Sequence, residues 1–186
     1  MNVKGSVLLA RRAFVQKHFG RDAWQSVLEA LPVDDQTALR GMLLNVGWFP
    51  FKLGERLDEE IVRVLGNGDE SVFERIGEVS AEENLSGPHR HFLVPGDPQA
   101  FLRQTPDIYK FYYDTGHRLY QPSGPNAAVL TTYNADTFSR VDCLTVVGWH
   151  RKALAMCGAQ DVRITEEMCR ARSDAQCRYL VEWRPA

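Results

Sequence analysis

Four side chains near the C-terminal end carry the most specific chemistry in this chain: Cys143, Glu166, Cys169 and Cys177, spaced C-x22-E-x2-C-x7-C. Three thiols and a carboxylate make a ligand set for a tetrahedral zinc ion, and such a set leaves no position for water or substrate. A closed site of that kind holds structure together and performs no catalysis. Two other readings compete. The residues can be ordinary buried thiols, since cysteine is among the most buried residue types, or Cys169 and Cys177 can form a disulfide across a hairpin. The spacing is not that of paired C-x2-C motifs and by itself leaves all three open. Cys157, beside Gly158 at a helix end, reads as core.

The elements that must position these residues follow from periodicity. Asp161 to Met168 alternates as a strand, with Val162, Ile164, Glu166 and Met168 on one face. Cys177 to Trp183 does the same, with Cys177, Tyr179, Val181 and Trp183 inward. Glu166 thus falls in a row that should face the core, where an unpartnered carboxylate is costly and a divalent cation removes the cost. Cys169 has the opposite parity, so convergence with Cys177 demands a bulge or strand end. Cys143 opens a helix over about 141–157, where the helix dipole favours a thiolate. Arg170, Arg172 and Arg178 are placed to offset the surplus negative charge of such a centre.

Upstream, helices are expected to Gly20, over 22–31, from Asp34 or Asp35 to about Leu44, over 53–65, over 71–85 and over 99–113. The segment 45–51 is extended, and Pro50 keeps it from a central strand. Residues 86–98, rich in glycine and proline, form a loop. Strands at 117–121 and 127–133 flank a turn. The order is helices followed by strand-strand-helix-strand-strand, an α+β fold. It reads as a single domain over 1–186, helical over 1–115 and sheet-bearing over 116–186.

The 186 residues carry a formal net charge of −2 and are 44% apolar. That balance argues against nucleic-acid or polybasic membrane binding. The N-terminus lacks the h-region of a signal peptide and no run is long enough to span a bilayer, so a cytoplasmic location is expected. Reduced thiols in that compartment favour metal over disulfide. The aromatic residues Trp48, Phe51, Tyr109 and Tyr112, with His89 and His91 from the glycine-proline loop, are candidates to line a pocket for a small hydrophobic molecule. No phosphate loop, nucleophile elbow or H-E-x-x-H motif is present. The chain reads as no enzyme.

The segments Asp142–Trp149, Glu166–Cys169 and Ser173–Val181 together resemble the 4-vinyl reductase (4VR) domain family, which includes the sensor domains of phenol-responsive transcription activators. Those sensors hold a structural zinc with Cys, Glu, Cys and Cys, in an order and spacing matched by Cys143, Glu166, Cys169 and Cys177. Gly148 matches the family's helix glycine. The specific match covers residues 140–183, and the ATPase and DNA-binding modules of those activators are not expected here. The wider order of elements, with the opening Val3-Lys-Gly5, resembles the haem nitric-oxide-binding fold, and the whole chain looks like an uncharacterised myxobacterial domain family. The haem relatives carry Y-x-S-x-R before the penultimate helix, where this chain reads Tyr133-Asn-Ala-Asp-Thr137. The resemblance implies a zinc-clamped, non-catalytic sensory module signalling to a protein partner, as a homodimer. The alternatives are a ligand-free interaction adaptor and, with less support, a haem or gas sensor.

Overall fold

A four-stranded antiparallel sheet of order β3-β4-β6-β5 forms the C-terminal layer of the computed structural model, which describes residues 1–185. Its strands are β3 (His117–Gly124), β4 (Ala127–Tyr133), β5 (Gln160–Met168) and β6 (Cys177–Arg184). A long helix, α8 (Arg140–Met156), connects the two hairpins and packs on the sheet. The helical half comprises α1 (Gly5–Phe19), α2 (Arg21–Ala30), α3 (Val33–Arg40), α4 (Phe51–Leu65), α5 (Val72–Ser86), α6 (Pro98–Arg103) and α7 (Thr105–Tyr112). A small ribbon pairs β1 (Asn2–Lys4) with β2 (Trp48–Pro50). The α+β class, the strand-strand-helix-strand-strand order and the helical N-terminal half are as the periodicity predicts.

Two helices differ from expectation. The third stops at Arg40, because Gly41 turns away into extended backbone, and it starts at Val33 with no side-chain cap from Asp34 or Asp35. The helix expected over 99–113 is broken into α6 and α7. Pro106 has no N–H to give the Leu102 carbonyl, which accepts instead from the Thr105 hydroxyl at 2.7 Å. The break matters, because α7 brings Tyr109, Tyr112 and Tyr113 to the interior.

The core divides into two buried clusters. One joins α1 to α5, including Leu8, Phe14, Trp24, Leu57 and Phe73; the other joins α5 to α8 and the sheet, including Phe101, Leu130, Trp149 and Tyr179. Helices α5 and α8 meet between them with backbones nearly touching. A Cβ on Gly148 would lie 1.9 Å from the Glu74 carbonyl oxygen, and one on Gly77 would lie 2.2 Å from that of Thr145. Arg151 clasps the crossing from outside, donating to Glu74 at 2.7 Å and Glu78 at 2.8 Å.

Candidate metal centre and ligand cavity

The β5–β6 hairpin delivers its cysteines to the foot of α8 through a register irregularity between Glu166 and Met168, the bulge that the parity of Cys169 demands. Ser139 caps α8 by accepting from the Asp142 N–H at 3.2 Å, which sets Cys143 in the first turn. Cys143 Sγ lies 3.5 Å from Cys169 Sγ and 3.9 Å from Cys177 Sγ, and all three residues are buried. Zinc–sulfur bonds of about 2.3 Å in a tetrahedron put sulfurs about 3.8 Å apart. The observed spacing is therefore that of a metal-ready trio. No disulfide joins them, and Cys157 is buried elsewhere.

Without a cation, hydrogen bonding and burial divide the protons unequally. Cys143 is pushed far up, chiefly by its contacts with Cys169 and Cys177. Cys177 is drawn down to about 7, first by Cys143 and further by the Arg170 N–H, which donates to its sulfur at 3.5 Å. One face of the trio is thus already disposed to carry a thiolate.

Glu166 does not join the three sulfurs. The ligand atoms that cluster are those of Cys143, Cys169 and Cys177 alone. Its Oε2 accepts from Arg140 at 2.5 Å and Arg172 at 2.7 Å. Its Oε1 is buried with no hydrogen-bond partner among the described residues. Of the arginines expected to balance the centre, Arg172 does so through Glu166, Arg178 pairs with Glu167, and Arg170 stacks over Phe138 at 4.7 Å.

The aromatic candidates part company. Tyr109 and Tyr112 line a partly open cavity of about 50 Å³ together with Val7, Ile108, Val146, Trp149, His150 and Arg118. Trp48 sits on the surface beneath Lys4, 43% exposed, and Phe51 belongs to the helical core. His89 and His91 pack against Phe92 at a tilt in the segment before α6. The residues that sequence reasoning missed are Arg118, Trp149 and His150. Their signal was weak: three polar or aromatic residues among many, separated by over thirty positions.

Between the cavity and the helical core runs a buried charged network, equally unforeseen. Arg11 Nε donates to Asp58 at 3.1 Å, and its Nη2 donates to Asp58 at 3.3 Å and to Thr145 at 3.2 Å. Asp142 lies 3.8 Å from the same guanidinium and accepts from the Tyr113 hydroxyl at 2.9 Å. Burial raises Asp58 to about 6, with Arg11 opposing the shift, and raises Asp142 in the same way. A carboxyl raised in the folded state from 3.8 stabilises the fold fully below about pH 4 and loses that contribution as pH climbs through 6. His150 acts oppositely: burial lowers it to about 3, so stability falls as the unfolded chain protonates below 6.5. Denaturant titrations of the wild type and Asp58→Asn across pH 4 to 7 separate the two. The variant is expected to lack a decline of up to about 3 kcal/mol on the alkaline side. Parallel curves would mean that Asp58 is ionised throughout.

No protein-family model matches the chain, and no curated protein does. Solved structures share its architecture. An H-NOX protein from S. oneidensis in the Fe(II)NO ligation state superposes with a TM-score of 0.74 at 16% identity, over 97% of this chain and 99% of that one. Unliganded Fe(II) H-NOX protein from K. algicida gives 0.75 at 10% identity, over 98% and 97%. A structure described as probing haem distortion in the H-NOX family gives 0.73 at 9% identity, over 98% and 96%. These likenesses define the class: the chain has the H-NOX fold along its length.

The interior does not fit the haem. A cofactor of that size needs roughly 300–1,000 Å³, against a cavity of about 50 Å³ here. The histidine that faces this cavity, His150, has both ring nitrogens engaged, Nδ1 with the Val146 carbonyl at 2.8 Å and Nε2 with Arg118 at 3.3 Å. In the Tyr133–Thr137 segment, buried Ala135 and Thr137 stand at the positions of the Ser and Arg of Y-x-S-x-R. No helix among the described residues is long and apolar enough to cross a membrane.

Proposed function

We propose that this chain is a non-catalytic sensory module of the 4VR kind, which takes a small molecule into the α7–α8 cavity and reports its presence to a protein partner. One observation carries the reading: a mostly apolar cavity lined by Tyr112 and Trp149, whose buried hydroxyl and indole N–H have no partner among the described residues. Buried donors are rarely left unpaired unless something else satisfies them. The helix that lines this cavity, α8, also carries Cys143. A shift of α8 on ligand entry would therefore be felt at the hairpin.

In the same reading, zinc is the structural cofactor, held by Cys143, Cys169 and Cys177, with Glu166 Oε1 turning in as the fourth ligand. The sulfur spacing and the orphaned carboxylate oxygen both support that assignment. When bound, zinc supplies a rigid tie between the hairpin and α8 and no reactive position.

A panel of small alcohols, ketones, acids and hydrocarbons tests the sensory reading, scored by thermal stability and tryptophan fluorescence. At least one class is expected to raise the melting temperature with rising concentration, logarithmically once the site is filled. A flat response from every class would remove the reading. The adaptor alternative rests on a run of exposed apolar side chains, Met42, Leu44, Val46 and Trp48, at 84, 54, 76 and 43%. It predicts partner capture that is lost when Met42 and Val46 become serine and is indifferent to small molecules.

A further inference from the structure

From the α7–α8 cavity we infer a specific ligand chemistry: it is a site for a small carboxylate, held by Arg118, Tyr112 and Trp149. This inference rests on the sensory reading above and names the ligand class.

Among the residues that line the pocket, the side-chain groups left without a partner among the described residues are donors. Trp149 is 8% exposed and its indole N–H has no acceptor, and the Tyr112 hydroxyl is buried and equally unpaired. Burial raises the Tyr112 phenol, so it keeps its proton. Arg118 is 7% exposed, yet it has no carboxylate within ion-pair distance among the described residues. Its Nε donates to Thr132 at 3.1 Å, and its Nη1 meets His150 Nε2 at 3.3 Å. His150 is neutral, and its Nδ1–H donates to the Val146 carbonyl, so Nε2 accepts from Arg118. Nη2 makes no hydrogen bond among the described residues. The Tyr109 ring, 5.1 Å from the guanidinium carbon, holds the group in place.

Asp142 feels the charge of Arg118, but its oxygens serve Tyr113 and Arg11. A guanidinium buried without an ion-paired anion is costly, and one arriving with the ligand removes the cost. The shape decides which anion. About 50 Å³ accommodates about four water-sized atoms, well under the roughly 150 Å³ of a cavity that takes benzene. Acetate and propionate fit that size. Their carboxylate suits the planar fork of arginine, and their alkyl end suits Val7, Ile108 and Val146.

The test uses the full chain labelled with ¹⁵N, whose four tryptophans give four indole N–H signals, with Trp149 assigned by Trp149→Phe. Sodium acetate and propionate should move the Trp149 signal saturably and leave the other three still. Tyr112→Phe removes a hydroxyl that has no partner, so its fold should stay intact. It should bind acetate several-fold more weakly, and Arg118→Met, checked for a dispersed spectrum, about tenfold or more weakly. An unmoved Trp149 signal, or unchanged affinity in Tyr112→Phe, overturns the assignment. So does a stronger response to nitrate or chloride. If acetone or acetamide binds while the carboxylates do not, the carboxylate class falls and the sensory reading stands. If nothing in the broader panel binds either, both fall.

Discussion

Cys177→Ser is expected to purify without stoichiometric zinc and to lose more than about 3 kcal/mol of stability, whereas Cys157→Ser keeps its zinc and loses about 1 kcal/mol. The contrast follows from placement. Cys177 is one of three sulfurs converging where β5, β6 and α8 meet. Binding a cation there adds its free energy directly to folding, because the unfolded chain has no such site. Cys157, though fully buried, touches no other sulfur, so a serine there loses only packing and thiol burial. Zinc per chain by plasma emission spectrometry, with chemical denaturation of both variants, checks the pair. Equal losses with no zinc in either protein would mean that all four cysteines are simply core.

Gly148→Ala is the second large effect. The added methyl would sit 1.9 Å from the Glu74 carbonyl oxygen, a contact that no rotamer relieves because both groups belong to backbones. Helix α8 must then move away from α5, and the seam between the two core clusters opens. Overpacking ordinarily costs about 1–3 kcal/mol. Here the clash is backbone on backbone, so the upper end or beyond is expected, against a helix-propensity gain of only about 1 kcal/mol. The same substitution at Gly77, whose Cβ would lie 2.2 Å from the Thr145 carbonyl oxygen, should be comparably harmful. Denaturation midpoints measure both. A neutral Gly148→Ala would show that the crossing slides without loss.

Much of the architecture was legible in the chain itself. Alternation in 161–168 and 177–183 assigned the hairpin, its inward rows and the need for a bulge before Cys169, because the two-residue period of a strand leaves little freedom once one face is apolar. Spacing together with the 4VR resemblance pointed to the three sulfurs that converge. Three-dimensional packing decided the rest. Glu166, inward by parity, is drawn to Arg140 and Arg172, which approach from α8 and the hairpin turn. Tyr109 and Tyr112, carried on α7, reach the cavity, while Trp48, Phe51, His89 and His91, on other elements, do not. Arg11, Asp58 and Asp142, on three different helices, form one buried network whose members carry no mark in one dimension. Local periodicity records which face a residue occupies; which faces meet depends on how helices cross, and Gly77 and Gly148 set that crossing by contacts with Thr145 and Glu74, 68 and 74 positions away.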